Sequence, residues 1–294
     1  MNNTSRALPR SRLLTMRIIA LCGIIFLLCC SGCMQRKIRR PAEVDRFITT
    51  FHAREQIEEA TYFDIFTLLK GTSGPVLRVY IEGDGLAWNT RHRISPDPTP
   101  RQPLALLLAA QDPSSLILYI GRPCQYVTGV HRRNCLPQVW TSGRFCTPVI
   151  EDVNQIISAF KQKTGARQVE MVGYSGGGGV AALVASRRDD VTGILTLAGN
   201  LDHAAWTSHH GVSPLVDSLN PLDIAEELKT IPQLHVSGAE DEIVPPHLSK
   251  RFIAKISTKK CRHLVLENIS HKNNWLKNYH TILSRFEKLI KTDY

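Results

Sequence analysis

No internal repeat runs through this chain, and no glycine/serine-rich or charge-run linker separates one half from the other. Those absences exclude solenoids and strings of small domains, and leave one domain as the default for 294 residues. No basic stripe with interleaved aromatic residues is present, which argues against nucleic acid as a partner. None of Cys124, Cys135, Cys146 and Cys261 has the close pairing of a zinc site. The apolar run from Ile18 to Cys30 has 13 residues, short of the roughly 20 that a membrane-spanning helix needs. With 43% hydrophobic and 21% charged residues, the composition is that of a globular protein and excludes the disordered classes.

That apolar run has a meaning of its own. Arg6, Arg10, Arg12 and Arg17 precede it and Ser31-Gly32-Cys33 follows it. A basic start, a short apolar stretch and small residues before a break are the parts of an export signal. The segment resembles a bacterial lipoprotein signal, in which Cys33 becomes the lipid-bearing first residue, although Cys30 stands where that pattern usually has leucine. Met16 offers a second start with a signal of more usual length, and an uncleaved signal anchor is the competing reading. The expected organisation is a signal peptide over 1–32, a tether over 33–57 and a domain over 58–294. The resemblance implies a chain exported in a bacterium and held to the cell envelope through Cys33, facing the periplasm. Removal of residues 1–32 takes away four arginines and no acid, and lowers the net charge from +10 to about +6. An exported protein can keep disulfides. The four remaining cysteines allow three pairings, of which Cys124–Cys135 is favoured because it closes a short polar loop, worth about 3 kcal/mol. Cys146 and Cys261 can pair or stay free.

Beyond the tether, strand and helix patterns alternate. Glu59–Leu69, rich in β-branched and aromatic residues, reads as one or two edge strands. Val76–Ile81 and Leu116–Ile120 read as buried strands, with a buried helix over Pro103–Gln111 between them. Pro148–Lys163 carries Val149, Val153, Ile156, Ile157 and Phe160 at helical spacing. The strand Gln168–Val172 runs into Gly-Tyr-Ser-Gly, and Gly177–Arg187 reads as a helix. A strand over Thr192–Ala198, an irregular insert over 201–220 and a helix near Leu222–Leu228 follow. Strands over Gln233–Val236 and His263–Leu266 then alternate with helices over His247–Ile256 and Trp275–Lys291. This order predicts an α/β fold, a mostly parallel sheet with helices on both faces. Such sheets carry their sites at the carboxyl ends of the strands.

The motif Gly173-Tyr174-Ser175-Gly176-Gly177 lies between a predicted strand and a predicted helix, the G-x-S-x-G pattern of a nucleophile elbow. A dinucleotide-binding turn is the rival reading of Gly176–Gly179, but that fingerprint belongs at the first βα turn and this one is mid-chain. A phosphate loop fails, because no Lys-Ser/Thr follows the glycines. A serine nucleophile needs a base, and the base needs a carboxylate. Gly238-Ala239-Glu240-Asp241-Glu242-Ile243-Val244-Pro245 follows one late strand, and Ile269-Ser270-His271 follows the next. The order Ser175, Asp241, His271 therefore supplies nucleophile, acid and base. Glu240, Glu242 and Asp202 are rival acids; His263 and His280 read as packing or surface residues.

These three segments resemble those of the α/β-hydrolase superfamily over roughly residues 59–291. The resemblance implies the α/β-hydrolase fold and an oxyanion hole from the Gly176 amide and a second N–H at Gly83 or Asp84. Glu82-Gly83 stands where the superfamily often has His-Gly. Arg122-Pro123-Cys124-Gln125-Tyr126, Cys135, Trp140 and the stretch Asn200–Trp206 are similar to a group of exported bacterial members of unassigned substrate. Tyr174 and Trp206 are candidates to line the substrate pocket. Asp202, His203, His209 and His210 lack the helical spacing of a metal site, so no metal is expected. The implied activity is hydrolysis of a small-molecule carboxylic ester or related acyl substrate, with no cofactor. A serine peptidase, an acyltransferase, or a lipid-anchored binding protein on a hydrolase scaffold are the alternatives. The N-terminal reading has its own check: radiolabelled palmitate is expected to enter the wild type and not Cys33→Ala, and labelling that persists in the variant contradicts it.

Overall fold

In the computed structural model the described residues are 40–292, and the apolar runs bounded by turn residues become strands of one eight-stranded sheet. Its edge is a hairpin of β1 (Arg54–Glu59) and β2 (Asp64–Lys70), followed by β3 (Val76–Ile81). β4 (Trp88–Thr90) and β5 (Arg93–Ile94) pair apart from it. β6 (Ile117–Ile120), β7 (Gln168–Tyr174), β8 (Val191–Leu197), β9 (Gln233–Gly238) and β10 (Cys261–Leu266) complete the sheet. The spatial order is β1-β2-β6-β3-β7-β8-β9-β10. β2 is antiparallel to both neighbours, and β6 through β10 are parallel. Because β3 pairs with β6 on one side and β7 on the other, the chain reverses its direction of growth there. That reversal opens a crevice at the carboxyl ends of β3 and β7.

The helices are α1 (Ala42–Phe51), α2 (Leu104–Gln111), α3 (Thr147–Thr164), α4 (Gly176–Ala185), α5 (His203–His210), α6 (Pro246–Ile256) and α7 (Trp275–Lys291). Side chains alternate along each strand, so β3 sends Leu77, Val79 and Ile81 into one apolar layer and Tyr80 into the other. The first layer holds apolar residues of α3, α4 and α6; the second holds those of α1, α2 and α7. The expected mostly parallel sheet with helices on both faces is observed.

Two expectations are corrected. Residues 40–57, read above as tether, belong to the domain: α1 buries Val44 and Phe47, three apart on one helix face, and β1 follows at Arg54. Arg40, Glu43, Asp45 and Arg46, clustered around the start of α1, mask its short apolar face in the sequence. The insert over 201–220 is not irregular throughout, because it contains α5, whose start is capped by the Asp202 side chain accepting from Ala205 N–H at 3.0 Å. The expected signal peptide, Cys33 and residues 34–39 lie outside the described residues. Among the described residues no helix is long and apolar enough to cross a membrane. Cys124 and Cys135 form the favoured disulfide, and Cys146 and Cys261 are free.

At the opposite end of the sheet from the crevice, β3 buries Arg78. Its guanidinium donates to Glu170 at 2.7 Å and to Asp112 at 3.0 Å, and reaches Glu287 of α7 at 3.2 Å. The network ties β3, β7, the end of α2 and α7 together. Replacing one partner strands the others without compensation. Arg78→Leu is expected to lower unfolding free energy by about 3–5 kcal/mol, read by urea denaturation with circular dichroism.

Candidate active site

The turn after β7 is held by close backbone packing. A side chain at Gly173 would meet Gly177 O at 2.4 Å, and one at Gly177 would meet Ile81 O at 2.2 Å. Only glycine permits strand and helix to approach so closely. Between them Ser175 sits at φ 52°, ψ −121°, a backbone region that costs a non-glycine residue of order 1–3 kcal/mol. The turn is fixed from outside: Ser175 N–H donates to Leu197 O at 2.9 Å, while Gly178 N–H and Asn200 N–H both donate to Ser175 O at 3.0 Å. The strain raises the hydroxyl at the head of α4.

His271, in the loop after β10, brings Nε2 to 3.1 Å from Ser175 Oγ. Its Nδ1 lies 2.9 Å from Asp241 Oδ2, in the loop after β9. With the Nδ1 proton directed at the carboxylate, Nε2 is left as acceptor for the serine hydroxyl. Asp241 is 3% exposed, and its other oxygen accepts from Ile243 and Val244 N–H, both at 2.8 Å. Those two bonds fix the carboxylate in one rotamer. The His271 carbonyl accepts from Tyr174 O–H at 2.8 Å and Trp275 Nε1–H at 2.9 Å, so the loop carrying the imidazole is anchored from both sides.

Above these groups opens a cavity of about 1240 Å³ lined by Tyr174, Ser175, Trp206, His271, Asp84 and Arg144, among others. Trp206 projects from α5 and donates Nε1–H to Ile243 O at 2.7 Å, which ties the insert to the acid loop. Both candidate pocket residues, Tyr174 and Trp206, therefore line it. Gly176 is the first residue of α4, where an amide has no acceptor within the helix.

Of the two amides expected as second oxyanion donor, Gly83 and Asp84, one is already engaged. Gly83 N–H donates to the Glu82 carboxylate at 2.9 Å, so of the two candidates Gly83 is occupied. The Asp84 amide has no partner among the described residues. Glu82, 1% exposed, also accepts from Tyr119 O–H at 3.0 Å, and these bonds fasten the turn. The two sequence neighbours of Asp241, Glu240 and Glu242, are exposed. Asp202 is engaged with Arg251 at 2.8 Å and Ala205 N–H. His263 binds Ser237 Oγ at 2.9 Å. Asp202, His203, His209 and His210 do not converge. The described residues whose atoms do lie close enough to share a metal are Glu59, Asp64 and His131, and there Arg133 already pairs with Asp64.

No protein-family model matches the chain, and no curated protein matches it. Solved structures do. Puromycin hydrolase aligns with 82% of this chain at 18% identity and a TM-score of 0.58. An esterase from Pyrococcus furiosus aligns with 83% of this chain and 95% of its own length, at 13% identity and a TM-score of 0.60. Acylaminoacyl peptidase from Pyrococcus horikoshii aligns with 85%, at 13% identity and a TM-score of 0.58. This chain has the α/β-hydrolase fold. It spans 39% of the puromycin hydrolase chain and 42% of the acylaminoacyl peptidase chain. The elbow after β7 and the loops after β9 and β10 are the places at which the α/β-hydrolase resemblance was expected to set nucleophile, acid and base. The mid-chain position of the elbow, on a central strand, leaves the dinucleotide reading without its first βα turn.

Burial pushes the Glu82 carboxyl up to about 7, against the opposing pull of Gly83 N–H and Tyr119 O–H. The folded chain therefore holds this proton more tightly than the unfolded chain, whose ordinary value is 4.5. The stabilisation is full below 4.5 and is lost as pH rises through about 7. Glu82→Gln is expected to remove that part of the pH dependence, read as a smaller difference in urea midpoint between acidic and neutral pH than in wild type.

Proposed function

We propose that this chain is a serine hydrolase acting on a carboxylic ester or related acyl substrate through an acyl-enzyme. The observation that carries the reading is the line of contacts from Ser175 Oγ to His271 Nε2 at 3.1 Å and from His271 Nδ1 to Asp241 at 2.9 Å. A hydroxyl is a weak nucleophile until a neighbouring base takes its proton. His271 accepts the Ser175 proton as Oγ attacks the substrate carbonyl, and buried Asp241 stabilises the imidazolium that results. The carbonyl oxygen becomes an oxyanion beside the Gly176 and Asp84 amides. The head of α4 adds its partial positive charge there. His271 then passes the proton to the leaving group. A water deprotonated by the same imidazole releases the acyl group and restores Ser175. The residues supply the whole cycle without a cofactor.

An esterase and peptidases are both among the structures of like fold, and the fold alone does not choose between their substrates. The cavity of about 1240 Å³ above Ser175 leaves room for an acyl substrate, and an ester is the member of that class proposed here. The proposal includes the exported setting, with the domain held to the bacterial cell envelope by a lipid on Cys33; its support is the order of basic, apolar and small residues before that cysteine.

The test is turnover of a panel of p-nitrophenyl acyl esters by the wild type beside Ser175→Ala and His271→Ala. Each variant is expected to lose about a thousandfold or more in kcat/KM. Wild-type rates no higher than those of the variants contradict the proposal.

A further inference from the structure

The Asp84 carboxylate has more positive charge around it than it can balance. Arg122 Nη1 donates to one of its oxygens at 3.0 Å and Arg144 Nη1 to the other at 2.7 Å. The two guanidinium side chains are only 6% and 9% exposed, and neither has another carboxylate partner among the described residues. Burial opposes ionisation of Asp84, but Arg144 and Arg122 outweigh it and hold the carboxyl below its ordinary range. The cluster therefore carries one net positive charge in a largely buried setting at the cavity wall. An uncompensated charge in such a place is costly unless a counter-ion meets it.

The two arginines differ in what they have left to offer. Arg122 is tied inward: Nη2 donates to the Arg144 carbonyl, the group packs 5.5 Å from the Phe145 ring centroid, and its unpartnered Nε is buried. Arg144 donates Nε–H to Thr141 O at 2.8 Å and Nη1–H to Asp84, while its Nη2 has no partner among the described residues. It forms part of the cavity wall, 5.8 Å from the ring centroid of Trp206. Gly176 brings the cluster to the reaction centre, since a Cβ there would stand 2.1 Å from Asp84 Oδ1. Arg144 is thus one carboxylate removed from the residue beside Ser175. The rest of the cavity does not offset this charge. Arg101, Lys272 and Lys277 are exposed on its walls, and its acids are Asp84 itself and the enclosed Glu82.

We propose that Arg144 is a specificity-determining residue that binds a carboxylate borne by the substrate, so that the preferred ester or amide is anionic. The assignment rests on the serine hydrolase reading and narrows its substrate class. The substrate carboxylate completes the charge balance of the cluster, with Arg144 bridging it to Asp84.

The test compares esters that differ in that carboxylate group. One pair places it on the acyl side, p-nitrophenyl hemiglutarate against p-nitrophenyl valerate. The other places it on the leaving group, 4-acetoxybenzoate against phenyl acetate. The ratio of kcat/KM within each pair is read for wild type, Arg144→Gln and Arg144→Lys at low and high salt. Wild type is expected to favour the anionic member of at least one pair by about tenfold or more, and the pair that responds locates the carboxylate. Arg144→Gln is expected to bring that ratio close to one, and Arg144→Lys, which keeps the charge but not the planar fork, to retain part of it. Taking ratios within one variant cancels a general loss caused by disturbing Asp84; should Arg144→Gln not fold, a drop in Arg144→Lys decides. Ratios near one in both wild-type pairs, or a preference undiminished in the variants, overturn the assignment. If the neutral esters still turn over with dependence on Ser175, the anion assignment falls alone. If no ester turns over with that dependence, the hydrolase reading falls with it.

Discussion

The structure depends on one strained residue. Ser175 is held at φ 52° by a strand that stops, a helix that starts and three backbone hydrogen bonds that leave it no other conformation. Such a turn can be imposed only where the surrounding packing is rigid. Here β7 and β8 are buried along nearly their whole length, and α4 is buried throughout. The apolar layers on both faces of the sheet thus hold a backbone geometry that the local sequence would not adopt alone. The proposed chemistry follows from it: the hydroxyl stands within reach of His271, and the amide of Gly176, first in α4, is left without an acceptor in the helix.

Polar groups buried at the two ends of the sheet serve different ends. At one end Arg78 meets Glu170, Asp112 and Glu287, and carboxylates outnumber the guanidinium. That cluster fastens elements together. At the other end the balance is reversed, with Arg122 and Arg144 around Asp84, and that cluster faces the cavity. The contrast is why only the second is read as a binding feature. The same logic separates the carboxylates near the elbow: Asp241 faces the imidazole, Asp84 faces arginines, and Glu82 is enclosed beneath the turn with its carboxyl pushed up to about 7.

Much of this was legible in the sequence because the deciding residues lie at strand ends within short linear motifs. Ser175 is flanked by glycines that the turn requires, and Asp241 and His271 each follow a strand with a clear apolar run. Ser175, Asp241 and His271 are brought together as expected, and the Cys124–Cys135 loop closes as favoured. What was not legible depends on contacts between distant segments. That Gly83 is occupied follows from the Glu82 side chain folding back onto its neighbour's amide, which no motif encodes. Arg251, 49 residues on, removes Asp202 from the rival acids. α1 and α5 are short, and their helical period is lost among charged and histidine residues. The proposed role of Arg144 was hidden for the same reason: Arg122 and Arg144 are isolated arginines in sequence, and only the fold brings both to Asp84.

The central claim is that the strained turn and its imidazole partner make Ser175 chemically distinct from the other serines of the chain. A fluorophosphonate probe reacts with a serine whose proton is drawn off by a base, so the most direct measurement is to label the full-length protein and map the modified peptide by mass spectrometry. The account predicts a single adduct on Ser175 that disappears in His271→Ala. An unlabelled Ser175, or equal labelling with and without His271, contradicts it.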